Sequence, residues 1–186
     1  MTAPWQIYFF IVPNTVCDEV IPLSLKWNNS DIFYSIDTYF RDELWKTDGI
    51  DKNIIQYGNI SENCIEVHEK NGEFSVMMSL DLRCVTESFI DTICEFCEFR
   101  NALIITSDNA IIKPTRKNLI GLIVNSEAAR FCMYVEPHLA RRRDEYDYNR
   151  SYWWEPLVPY NRKFNTISEI DKYVMDFCEK LKNDKI

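Results

Sequence analysis

EFSVMMSLDLR, residues 73–83, alternates without a break: Phe74, Val76, Met78, Leu80 and Leu82 fall on one side of an extended chain, and Ser75, Met77, Ser79 and Asp81 on the other. Side chains on a strand repeat every two residues, so the spacing predicts a strand with one packed face and one wetter face. That is the habit of an antiparallel sheet covered on one side. The rest of the chain must then supply the neighbouring strands and the covering layer.

Both are legible on either side. Just upstream, Asn71-Gly72 offers the two residues that best tolerate a tight hairpin turn, joining residues 64–69 to the 73–83 strand. Residues 53–60 predict a further short strand. WQIYFFIV, residues 5–12, is largely apolar on both alternating faces, as expected in the middle of a sheet. ALIIT, residues 102–106, faces residues 110–112 across Ser107-Asp108-Asn109, a second hairpin.

The covering layer follows from helical spacing. In residues 31–45, Phe33, Ile36, Phe40 and Leu44 recur every three to four positions, with Asp31 near the start. Thr86 is placed to cap TESFIDTICEFCEFR, with Glu87 beside the positive end of its dipole. Pro114-Thr115 opens a helix through residues 118–124, and residues 132–135 predict a short strand. Thr166 and Glu169 form a capping box for a helix over residues 166–182, whose stripe is Ile167, Ile170, Val174, Phe177, Cys178 and Leu181. Together these elements predict an α+β domain, a mostly antiparallel sheet with helices packed on one face in a ferredoxin-like arrangement. One domain of 186 residues is expected, with a core over 1–140, an irregular arm over 141–165 and a C-terminal helix over 166–183.

Composition narrows the function. With 46% hydrophobic residues the chain can fill a core, and with only four glycines it is poorly supplied with loops that wrap phosphate. The formal net charge of −8 opposes the attraction that drives nonspecific nucleic-acid binding and favours a basic partner. The apolar run near the N-terminus has no basic segment before it and is too short to span a bilayer, so a cytoplasmic protein without a membrane partner is expected. Seven cysteines at irregular spacing point to reduced core residues rather than a disulfide framework.

Motifs that carry chemistry are sparse. Cys94 and Cys97 have C-x-x-C spacing but lie well inside a predicted helix, on the stripe of Phe89, Ile90 and Ile93, where core packing is the simpler reading. No second cysteine pair or H-x3-H accompanies them, so no metal site and no cofactor is expected. His68 and His138 have no partner signature around them, and Asp81 reads as an exposed strand acid. Arg141-Arg142-Arg143 is answered at once by Asp144, Glu145 and Asp147. A small enzyme assembled from His138, Asp81 and the arginine run remains an alternative, as does a regulatory or nucleic-acid-binding module using Arg141, Arg142 and Arg143.

The arm concentrates the strongest contact chemistry. Seven of the 21 residues 144–164 are aromatic, about double the 14% of the whole chain. Tyrosine and tryptophan combine large contact area with few rotors, so they gather at binding hot spots. A protein interface is therefore expected at Tyr146, Tyr148, Tyr152, Trp153, Trp154 and Glu155, with Asp144, Glu145 and Asp147 steering. The competing expectation is that the arm folds back and buries its rings against the sheet.

One further stretch, IKPTRKNLIGLIVNSEAARF at residues 112–131, resembles a pattern in small bacterial α+β proteins. Some of these resemble the immunity proteins of polymorphic-toxin and contact-dependent growth-inhibition systems. The resemblance extends over about 60 residues, from Phe74 to Phe131, and rests on a cap at Thr115, packing positions at Leu119 and Ile123, and an anchor at Phe131. It implies an acidic, non-catalytic protein that binds a basic, nuclease-type toxin and occludes it. It transfers no functional residue.

Overall fold

The computed structural model describes residues 3–14, 27, 30–48, 53–143, 150–158 and 166–183. The alternating 73–83 stretch forms β5 (Glu73–Asp81), and it is the central strand of the sheet. Around it lie β1 (Gln6–Pro13), β2 (Lys46–Asp48), β3 (Ile54–Gly58), β4 (Cys64–Lys70), β6 (Ala102–Thr106) and β7 (Ile111–Ile112). The spatial order is β2-β3-β4-β5-β1-β6-β7, and every neighbouring pair is antiparallel.

Two helices make the crossovers. α1 (Asp31–Phe40) stands between β1 and the β2–β4 meander, and α2 (Glu87–Phe99) joins β5 to β6. β1 and β4 therefore run parallel with β5 between them, and β5 and β6 run parallel with β1 between them. α2 thus joins two parallel strands with β1 between them, whereas α1 leads from β1 to β2 at the far edge of the sheet. The protein is α+β, with its helices on one face of a mostly antiparallel sheet.

The packed face is the one the alternation marked. Phe9 and Ile11 of β1, Val76, Met78 and Leu80 of β5, Ile65 and Val67 of β4 and Ile104 of β6 meet Ile32, Ile36 and Phe40 of α1. Phe89, Ile90, Ile93 and Phe96 of α2 close the same cluster. Phe40 sits edge-on to Phe89 and Phe96 at 5.7 and 5.3 Å, the geometry that ring quadrupoles prefer. Residues paired across strands share a face, so the opposite face carries the row Thr47, Gln56, Glu66, Met77, Phe10, Ile105, Ile111.

Turn and cap chemistry fixes the ends. Asn71 and Gly72 have φ of 58° and 78°, the paired positive dihedrals of a two-residue hairpin. Thr86 accepts a hydrogen bond from the Phe89 N–H, and Thr115 caps α3 (Arg116–Val124) through the Asn118 N–H. The Thr166 hydroxyl accepts from the Glu169 N–H at the start of α6 (Ile167–Asn183). Gly58 ends β3 at φ 81°, and a methyl group there would lie 2.4 Å from the Asn63 carbonyl oxygen. Gly58→Ala should therefore lose about 1–3 kcal/mol of stability through the backbone conformation alone. An unchanged urea midpoint would contradict that.

Three expectations change. The helix expected over 31–45 ends at Phe40, residues 41–43 form a turn, and an edge strand, β2, follows at Lys46–Asp48. Residues 132–135 are not a strand. They belong to a π-helical turn, Phe131–Val135, between α4 (Glu127–Arg130) and α5 (Glu136–Arg143). Its buried residues Phe131, Cys132 and Val135 recur at helical spacing, which four residues are too few to distinguish from a strand. Arg141, Arg142 and Arg143 are the last turn of α5 and not part of an irregular arm.

Candidate binding face

The aromatic arm divides. Trp154 is the largest fully buried side chain, and Tyr152 stacks on it with ring centroids 4.9 Å apart and planes 7° from parallel. Both rings belong to the core shared with α1, α2 and the sheet. Their polar handles are engaged as well: the Trp154 indole N–H donates to the Leu82 carbonyl at 2.9 Å, and the Tyr152 hydroxyl donates to Glu136 at 2.8 Å. Half-buried Trp153 donates to the Val85 carbonyl at 2.7 Å, and Glu155 is half-buried too. The arm thus satisfies carbonyls of the turn that leaves β5, groups that would otherwise be costly to bury. Tyr152 and Trp154 are unavailable to a partner. Asp144, Glu145, Tyr146, Asp147 and Tyr148 lie outside the described residues.

Asp81 is not the exposed acid its strand suggested. It is 1% exposed and takes two hydrogen bonds from the Arg83 guanidinium, at 3.0 and 2.7 Å, and one from the Arg83 backbone N–H. Arg83 lies in the turn that leaves β5, which folds its side chain back onto Asp81, and its guanidinium stacks 3.9 Å above Trp5. Burial alone would lower the Arg83 pKa, but the Asp81 carboxylate raises it above its ordinary value. His138 is engaged elsewhere, 2.7 Å from Asp171 of α6. Among the described residues no hydrogen bond or ion pair joins His138 to Asp81, and the Arg141–Arg143 side chains fall outside the description. No group of three or more potential metal ligands occurs among the described residues, and no described helix is long and apolar enough to cross a membrane.

The C-x-x-C thiols face the core side of α2. Cys97 is fully buried, and burial pushes its thiol up to about 12; Cys94 is raised as well, again chiefly by burial. A redox pair needs the opposite shift. Exposed Cys84 is held at about 11, by burial of its sulfur and then by Asp81. A raised thiol pKa means less thiolate at neutral pH. Alkylation of Cys84 by iodoacetamide should thus keep rising about tenfold per pH unit beyond pH 9, where an ordinary thiol levels off. A plateau near pH 9, read by mass spectrometry, would contradict this.

The outer side of the helix layer has the chemistry the arm was expected to supply. Residues 31–46 and 87–100 hold eight of the chain's 29 acids against three of its 21 basic residues. Arg100 turns inward, with its guanidinium 5.1 Å from the Trp27 ring and bonded to Ser35, so it does not offset them. Arg116 pairs with Glu87 and Asp91, leaving Glu95 and Glu98 exposed with no ion pair among the described residues. Between the acids stand two rings that burial would favour, Tyr34 at 73% exposure and Phe99 at 63%. Tyr39 buttresses Phe99 from 5.5 Å and packs on Phe96 from 5.9 Å, so this ring rests on the core. Thr92 donates to Glu43 at 3.2 Å and ties the turn after α1 to α2.

The sequence reading gave Tyr34 and Phe99 no role, because the aromatic-rich 144–164 segment carried the denser signal. Their helical phase carried the signal: each falls outside its stripe, Ile32-Ile36-Phe40 in α1 and Phe89-Ile93-Phe96 in α2.

The fold and face define an acidic α+β protein whose core-packed helix layer bears exposed rings. No protein-family model matches the chain, and neither a curated protein nor a solved structure is significantly similar to it.

Proposed function

We propose that this chain is a non-catalytic binding protein that occludes a basic protein partner, in the way an immunity protein neutralises its cognate toxin in the cytoplasm. The observation that carries the reading is the α1/α2 face, where Tyr34 and Phe99 stand exposed among carboxylates on two helices already fixed by the core. Rings on a preorganised layer lose little freedom on binding, and acids around them attract a cationic surface before contact. The net charge of −8 extends that attraction beyond the face itself. The resemblance of residues 112–131 to a pattern in small bacterial α+β proteins, some of which resemble immunity proteins, is in keeping with this reading. A basic nuclease is the partner class that this charge and likeness favour.

The direct test is titration of the purified chain with the protein encoded by the adjacent gene, followed by calorimetry and by growth of cells expressing that protein. The expected result is a one-to-one complex that weakens as salt is raised, together with restored growth. A neighbouring product that is acidic, or a complex indifferent to salt, overturns the reading.

A further inference from the structure

We infer that the groove between β7 and α3 receives an extended acidic peptide as an eighth strand of the sheet. The site is independent of the α1/α2 face. It is an open groove of about 540 Å³ lined by Ile111, Lys113, Lys117, Gly121 and Leu122, with Asp108 at its hairpin side. That volume accommodates a few residues of an extended chain.

Backbone geometry supplies the first half of the argument. The Thr106 N–H donates to the Ala110 carbonyl while the Ala110 N–H turns to the Thr106 hydroxyl, so one ladder bond joins residues 106 and 110 and sets the phase of the hairpin. Ladder pairs alternate along antiparallel strands, and the next pair is Ile105 with Ile111. Ile111 therefore points its N–H and C=O away from β6, toward the edge of the sheet that no described strand covers. An incoming strand would meet a donor and an acceptor at the spacing that strand addition uses. The edge is short, since β7 is two residues long, and Lys113 and Pro114 end it.

Side chains supply the second half. α3 runs along the groove with Gly121 facing it, and a Cβ added there would meet nothing within 4 Å. Room for a peptide side chain is thus built into the helix, beside half-buried Leu122. Lys113 and Lys117 are both exposed at the groove, and the Asn118 amide donates to the Lys113 carbonyl at 2.8 Å, which braces the wall. Asp108 is the opposing charge, and it bonds to the Thr106 hydroxyl at the hairpin end. The two lysines outweigh it, so acidic residues on the peptide face the lysine end and apolar ones face Gly121 and Leu122.

The probe is a capped, fluorescein-labelled octapeptide of alternating valine and glutamate, titrated by anisotropy against the full chain. Saturable binding is expected below about 1 mM, with about tenfold weaker binding when lysine replaces each glutamate. Gly121→Leu should weaken binding about tenfold by filling the groove, while its unfolding transition reports that the fold is intact. Ile111→Pro, which removes the outward N–H from an edge position where proline is tolerated, is the second variant and should weaken binding likewise. Peptides N-methylated at alternate residues in the two possible frames complete the set, and one frame should lose binding. Absence of saturable binding, binding that survives both frames, equal binding of the lysine peptide, or full competition by inorganic phosphate each overturns the inference.

Discussion

Trp154→Ala should remove about 3–5 kcal/mol from the unfolding free energy, the range for deleting a buried large aromatic side chain. Three losses combine. The indole vacates a site that is fully buried within the main core. Tyr152 loses the ring it stacks on at 4.9 Å, and the Leu82 carbonyl loses its donor. A domain of ordinary stability holds about 5–15 kcal/mol, so the variant would stand near the folding threshold. Trp154→Phe separates the terms, because it keeps most of the packing and loses only the donor. It should cost about 1–3 kcal/mol, the penalty for an unsatisfied buried polar group. Urea unfolding followed by near-ultraviolet circular dichroism measures both. A loss below about 1 kcal/mol for the alanine variant would show that the arm is not part of the core.

The second large effect concerns binding and leaves stability nearly untouched. Tyr34→Ala combined with Phe99→Ala should weaken the complex with the basic partner about 100-fold, mainly through faster dissociation. Both rings are mostly exposed in the free protein, so their removal takes little from the core. Glu95→Lys combined with Glu98→Lys acts on a different step. It moves the net charge from −8 to −4 and puts cations where the partner is cationic, so association at low salt should slow by about tenfold or more. Surface plasmon resonance at two salt concentrations distinguishes the two. The face is excluded if all four substitutions leave both rate constants unchanged, and doubly so if Tyr146→Ala and Tyr148→Ala abolish binding instead.

The legible part of the fold was the part governed by near neighbours. The two-residue alternation of 73–83 became β5, and the caps at Thr86, Thr115 and Thr166 fell where their hydroxyls meet the third following N–H. Asn71-Gly72 turned as expected because few other residues accept two successive positive φ angles. Residues 132–135 went astray for the same reason in reverse, since four apolar-rich residues fit either period and only the flanking helices decide.

The candidate face was much less legible. An aromatic residue is equally suited to a hot spot and to a core, so composition could not separate Tyr152 and Trp154 from Tyr34 and Phe99. Asp81 shows the same ambiguity in a charge. Its partner Arg83 was only two residues away, yet its burial depended on Trp5 and on an arm that returns to Leu82 from 72 residues further along.

By itself the sequence determined the strand periodicity, the helix starts, the hairpin turn and the overall negative charge. Each of these depends on backbone preferences and on contacts within about four residues. Only the tertiary structure decided which rings are covered and which stand free, because burial is a property of every element that reaches a place, however distant in the chain. It put Trp154 under the turn that leaves β5 and left Tyr34 and Phe99 on the outside of the helix layer.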